Sequence, residues 1–208
     1  MSSLRRRRRP YCKIWDADHI MTEGLNIHNR RSIRLEGYDY SNSGSYFVTL
    51  VSFHHLLIFG DIINGGVKLN SVGEVVENAW LEIPLHIPFV TLNAYVIMPN
   101  HLHGIININE DWKVGTVHRV PEAQRNDLSQ QTTYPKGPKP RSLGAIIGSS
   151  KSATTKRIHH LGLIKNKSIW QRNYDEHIIR SEEDLLQKIA YIQANPINWE
   201  IDIEYHPD

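Results

Sequence analysis

Apolar and polar positions fall into regular patterns only after about the first thirty residues. Residues 46–52 (YFVTLVS) are rich in β-branched and aromatic side chains and follow a turn-prone Ser/Asn/Gly stretch, which predicts a strand. Residues 56–63 and 67–70 flank Asn64, Gly65 and Gly66, residue types that supply the positive φ of a tight hairpin turn. Ser71 with Glu74 three positions on has the form of a capping box. Val72, Val75, Val76, Ala79, Trp80 and Ile83 then recur at helical spacing until Pro84. Residues 90–98 and 102–108 predict two adjacent strands joined at Pro99 and Asn100. Ser142 is placed to cap a helix reaching residue 158 or 160, with Ile146, Ile147, Ala153 and Ile158 inward and Lys151, Lys156 and Arg157 turned to solvent or ligand. Residues 169–179 predict a last strand. Ser181, followed by Glu182, Glu183 and Asp184 at the positive end of the dipole, opens a last helix that Pro196 closes.

The order is strand, two hairpin strands, helix, two strands, helix, strand, helix. An antiparallel sheet with helices packed on it satisfies that order, an α+β fold of ferredoxin-like type. Two segments stand outside the pattern. Residues 1–30, with five arginines at 5–9 before Pro10, predict a flexible basic arm, leaving 31–208 as the domain. Residues 109–140 are polar and rich in Pro, Gly, Gln and Thr, and predict a surface insertion or lid.

Composition narrows the class. A chain of 208 residues with 40% hydrophobic and 22% charged side chains suits one folded domain. A single cysteine, Cys12, excludes an internal disulfide and a cysteine zinc cluster, and suggests a reducing, cytoplasmic setting. No apolar run approaches the roughly 18 residues of a membrane span, so no membrane partner is expected. The net charge of +2 conceals an uneven distribution. Residues 1–34 hold nine Lys/Arg against three acids, and residues 134–173 hold nine with no acid at all, while the remainder is acidic. The second block is a candidate polyanion surface.

Three features could carry chemistry. His101 and His103 are separated by Leu102 on a predicted strand, so period two puts both imidazoles on one face about 6.5–7 Å apart along the backbone, with Leu102 toward the core. By spacing alone such a pair is either a metal site or a polar sheet face. His54, His55, His159 and His160 suit surface or capping positions better than ligand positions. On the last helix Leu185, Ile189 and Ile192 form a core stripe, whereas Gln187, Tyr191 and Asn195 share another stripe. Tyr191 and Asn195 can therefore address one site, or serve as an interface residue and a helix cap respectively.

Four passages read together, RRSIRLEGYDYSNSGSYFVTL (30–50), YVIMPNHLHGIIN (95–107), GAIIGSSKSATTKRI (144–158) and IWQRNYDEHIIRSEEDLLQKIAYIQANP (169–196), give residues 31–208 a resemblance to the REP-associated tyrosine transposases. These are single-tyrosine members of the HUH nuclease superfamily, related to insertion-sequence transposases. The resemblance implies that His101 and His103 are metal ligands, that Tyr191 is the catalytic tyrosine and that Asn195 is the third ligand, with Mg2+ or Mn2+ as cofactor. Tyr174 is the rival nucleophile, and His177 and Arg180 lie in a matching passage without an assigned role. The family acts on single-stranded DNA near hairpins through a 5′-phosphotyrosine intermediate, so Lys151, Lys156, Arg157 and Arg172 become the candidate DNA contacts. Two other functions remain open, a catalytically silent hairpin-DNA-binding regulator and a phosphoesterase without a covalent step. So does a homodimer, with the site built in one chain or by exchange of the last helix.

Overall fold

The computed structural model describes residues 35, 37–110 and 138–199, all in the unit Ser32–Asp208. The basic arm expected at 1–30 and most of the expected insertion, 111–137, lie outside the described residues. The elements are β1 (Gly44–Val51), β2 (Gly60–Ile63), β3 (Gly66–Leu69), α1 (Ser71–Leu81), α2 (Ile83–His86), β4 (Val90–Ile97), β5 (His101–Ile108), α3 (Leu143–His160), β6 (Asp175–Ile179) and α4 (Glu182–Ala194). β1, β4, β5 and β6 form one sheet in the order β4-β5-β1-β6, every neighbouring pair antiparallel. With the separate β2–β3 hairpin and short α2 set aside, the core runs β-α-β-β-α-β before α4. This is the ferredoxin-like α+β arrangement that the pattern of apolar positions predicts.

Strand register sorts the two faces of the sheet. Leu50 pairs with Leu102 and Val48 with Gly104, so these positions point to one side, where α1 and α3 cover them. Tyr46, Val48, Leu50, Leu102, Ile106, Trp80, Ile146, Ile147 and Ile158 make the core there. Gly104 is required at its position because a Cβ would collide with the Trp80 ring. The opposite side carries Thr49 paired with His103, Val51 paired with His101, and Phe47. Helix α4 contacts both edge strands, β6 and β4, and so crosses this second face.

Several local details differ from the sequence pattern. Asn70, not Ser71, caps α1: its side chain accepts from the amides of Val72 (2.9 Å) and Gly73 (3.0 Å) while its own amide donates to the Ile58 carbonyl. Pro84 does not merely end α1; it sits in the first turn of α2, where its missing N–H costs nothing. The hairpin turns on Asn64 (φ 54°) and Gly65 (φ 74°) as expected, but residues 56–59 precede β2 instead of joining it. On α3, Ala153 is exposed and Thr154 is buried in its stead, its hydroxyl donating to the Ser150 carbonyl. β6 starts only at Asp175, and earlier in the predicted span Trp170 makes an isolated bridge to Ser52. Ser142 and Ser181 cap α3 and α4 as their positions predict. Among the described residues no helix is long and apolar enough to cross a membrane.

Candidate active site on the outer face of the sheet

His101 and His103 project from β5 on the α4 side, with ring centroids 4.3 Å apart. Both are buried, at 0% and 3% exposure, while Leu102 between them points into the core. The His101 Nδ1 lies 2.8 Å from Asn100 Oδ1. An amide oxygen only accepts, so His101 donates from Nδ1, and in the neutral ring the lone pair is on Nε2. Asn100 is held in that orientation because its Nδ2 donates to the His55 carbonyl (3.3 Å), and its own carbonyl accepts from Ser52 N (2.7 Å). His103 Nδ1 is 2.9 Å from Thr49 Oγ1, its direct partner across the ladder. Burial first, then the charges of His101 and Lys188, hold the His103 pKa well below the ordinary histidine value, so this imidazole is neutral near pH 7.

Tyr191 comes to the pair from α4. Its hydroxyl is 3.4 Å from His103 Nε2, and its ring meets the rings of His103 and Phe47 edge-on at 5.1 and 6.0 Å. Phe47 in turn stacks on His103 at 5.3 Å. At 41% exposure the phenol remains open to a substrate. Asn195, one turn later on α4, is buried, and Trp199 packs on the His101 ring at 5.9 Å. The His pair and Tyr191 thus come together within one chain. Among the described residues no three His, Cys, Asp or Glu side chains cluster to hold a metal ion. A cation here would take two imidazoles plus a neutral oxygen donor such as the Asn195 amide. The fixed Nε2 lone pair of His101 and the neutral His103 suit that role.

The remaining sequence candidates divide. Tyr174 packs against the hydrophobic core on the α1/α3 side, away from the histidine face. Gln187 is exposed and reaches back to Glu183, so Lys188 takes the stripe position expected for it. Lys151 is turned inward: its Nζ donates to the carbonyls of Gln171 (2.6 Å) and Asn173 (2.9 Å), and burial pushes its pKa down to about 8. Arg157 forms a two-pronged pair with Glu82 at 3.1 and 2.8 Å. Lys156 and Arg172 are exposed. All four belong to α3 or the segment after it, and α3 covers the face opposite the histidines. His177 bonds Asp184 at 2.8 Å and ties β6 to the start of α4. His159 contacts the Lys167 carbonyl and His160 is exposed.

Phe47, Thr49, Asn100, Lys188 and Trp199 complete the site without having been singled out from the sequence. Only Asn100 had a local signal, an amide immediately before the first histidine of PNHLH.

No family model matches the chain. It is 42% identical over 182 residues to a Haemophilus influenzae protein of uncharacterized function, covering 86% of this chain and 94% of that one. A second Haemophilus influenzae protein, whose name assigns it provisionally to the REP-associated tyrosine transposases, is 26% identical over 160 residues, 76% of this chain and 73% of that one. A solved structure of a REP-associated tyrosine transposase bound to a REP hairpin aligns over 80% of this chain and 73% of that chain, with 19% identity and a TM-score of 0.48.

Proposed function

We propose that this chain, which belongs to one family with its uncharacterized Haemophilus influenzae relative and resembles the REP-associated tyrosine transposases, cleaves and rejoins single-stranded DNA near hairpins with Tyr191 as nucleophile. The observation that carries the proposal is the Tyr191 hydroxyl 3.4 Å from His103 Nε2, at the edge of a buried histidine pair.

The Tyr191 oxygen bonds to phosphorus as the bond from phosphorus to the 3′ oxygen breaks, and the phenolic proton ends on the departing oxygen. The products are a 5′-phosphotyrosine link and a free 3′-OH. Attack by a DNA 3′-OH then forms a new phosphodiester and releases Tyr191, so the number of phosphodiester-type bonds is conserved and no external energy is needed. A phenol with an ordinary pKa near 10 must be activated at neutral pH. A divalent cation held by His101, His103 and Asn195 supplies Lewis-acid polarisation of the phosphate when bound. Two imidazoles make the donor set softer than the all-oxygen shell Mg2+ prefers, which favours Mn2+ of the two expected ions. Asn100 orients the His101 ring with Nδ1 as donor, Thr49 orients the His103 ring, and Phe47 meets the ring of Tyr191 edge-on at the exposed rim of the site. The setting is the cytoplasm, and the DNA grip falls to exposed cations such as Lys156 and Arg172.

Incubation with Mn2+ and a labelled single-stranded oligonucleotide carrying a hairpin tests the proposal. A protein–DNA adduct that survives denaturation, and is absent with Tyr191→Phe, is the expected result. Cleavage without an adduct would replace it with a phosphoesterase, and binding without cleavage with a silent DNA-binding regulator.

A further inference from the structure

We propose that Lys188 is the cation that receives the scissile phosphate, presented by the Phe47 ring one helical turn ahead of Tyr191. This rests on the strand-cleaving function proposed above and adds a residue to it.

Asp184, Lys188, Tyr191 and Asn195 follow one another at intervals of four, three and four along α4, so they share the face turned to the sheet. Each of the first three reaches a different strand. Asp184 bonds His177 of β6, Lys188 lies over Phe47 of β1 with Nζ 5.3 Å from the ring centroid, and Tyr191 meets His103 of β5. Phe47 is the shared platform, stacked on His103, edge-on to Tyr191 and beneath the ammonium. The charge of Lys188 is felt at His103, which places it within the electrostatic range of the site.

Lys188 combines a place beside Tyr191 with the absence of a close ion pair among the described residues. Among the described residues no carboxylate lies within salt-bridge distance of its Nζ; its charge is felt at Asp184, one turn back, whose carboxylate is hydrogen-bonded to His177. Lys151 is committed to two carbonyls, Arg157 to Glu82 and Lys139 to Asp39, while Arg141 also lies over a ring, that of Phe89 at 4.5 Å, but Phe89 packs against the hydrophobic core. The ammonium rests on the Phe47 ring, whose quadrupole favours a cation there, and among the described residues no hydrogen bond engages its donors. A phosphodiester is the anion that this surface is proposed to handle. As Tyr191 attacks, charge on the non-bridging oxygens rises, so a fixed ammonium at that point gains more in the transition state than in the ground state.

The test compares wild type, Lys188→Met and Lys188→Arg on two oligonucleotides, one with an ordinary scissile phosphate and one with a neutral methylphosphonate there. On the phosphodiester Lys188→Met is expected to slow adduct formation about 100-fold, the scale for losing one such donor, with Lys188→Arg recovering part of the rate. Binding supplies a readout that needs no turnover. With metal withheld, the methylphosphonate should weaken binding to wild type about tenfold more than it weakens binding to Lys188→Met. An equal loss on both oligonucleotides, or no loss on either, would show that Lys188 supports α4 or does nothing and would overturn the assignment. An adduct missing from wild type, or persisting in Tyr191→Phe, would instead overturn the underlying function.

Discussion

The Tyr191 hydroxyl lies 3.4 Å from Nε2 of His103, across a separation of 88 residues. The contact exists because β5 turns its histidines outward and α4 lies over that face. Removing the hydroxyl leaves the ring contacts with Phe47 and His103 intact, so Tyr191→Phe should unfold in urea within about 1 kcal/mol of wild type. Loss of the covalent adduct in a variant of that stability would be a chemical effect. A much larger loss of stability would show that the hydroxyl has a structural duty.

Asn100 is expected to matter more to the fold than Tyr191 and nearly as much to the site. Asn100→Ala strips an acceptor from the buried His101 Nδ1–H and a donor from the His55 carbonyl. Leaving buried partners unsatisfied costs about 1–3 kcal/mol, readable as a lower urea midpoint. The same change frees the His101 ring, so Mn2+ affinity measured by calorimetry should fall about 10–100-fold. Unchanged affinity would mean that the asparagine does not set the ligand's proton.

His103 predicts a specific dependence of stability on pH. Its folded pKa is lowered, chiefly by burial, whereas in the unfolded chain it titrates near 6.5. Above that value both states are neutral and the full stability is present. Below it the unfolded chain takes up a proton that the folded chain refuses, so stability falls as pH drops, by at most about 1.4 kcal/mol per pH unit for this residue. Urea midpoints of metal-free protein at pH 7.5 and 5.5 should therefore differ more for wild type than for His103→Asn. Equal differences in the two proteins would place this proton elsewhere.

The four cations singled out from the sequence should separate in a salt titration of single-stranded DNA binding. Lys156→Ala and Arg172→Ala each remove an exposed charge and should flatten the logarithmic salt dependence by about 0.7 for each phosphate no longer neutralised. Lys151→Met should leave the slope alone and lower stability, because its ammonium secures the carbonyls of Gln171 and Asn173. Arg157→Ala should likewise spare the slope, since Glu82 already holds its guanidinium. A slope that changes with Lys151 or Arg157 but not with Lys156 or Arg172 would reverse these roles.

Local period carried most of the fold into the sequence. The 3.6-residue recurrence marks α1, and alternation around Leu102 places both histidines on one face before any partner strand is known. What local period cannot convey is which of two adjacent, equally competent residues the tertiary context selects. Asn70 and Ser71 can both cap a helix, but Asn70 is anchored by its side-chain amide to the Ile58 carbonyl and by its backbone N–H to the Phe59 carbonyl, and the turn begins one residue earlier than the capping-box pattern suggests. Gln187 and Lys188 are neighbours on α4, and the sheet beneath, through Phe47, decides which faces the site. Lys151 sits among polar positions of α3, yet the end of its long stem turns to carbonyls twenty and twenty-two residues away. Thr49 became visible only through the ladder that pairs it with His103.

Strand β5 also shapes how this gene can change. Its eight residues hold the histidines on one side and Leu102, Gly104 and Ile106 on the other, in unbroken register with β1 from His101 to Ile108. A codon gained or lost inside that stretch would exchange the two sides on one flank of the change, so that the histidines and the apolar positions beyond them could no longer both keep their faces. Point substitutions in β5 can be weighed one at a time, but an in-frame insertion or deletion there would remove the core or the site in a single event. Lineages that keep the protein should therefore hold the length of this strand constant even where its side chains vary.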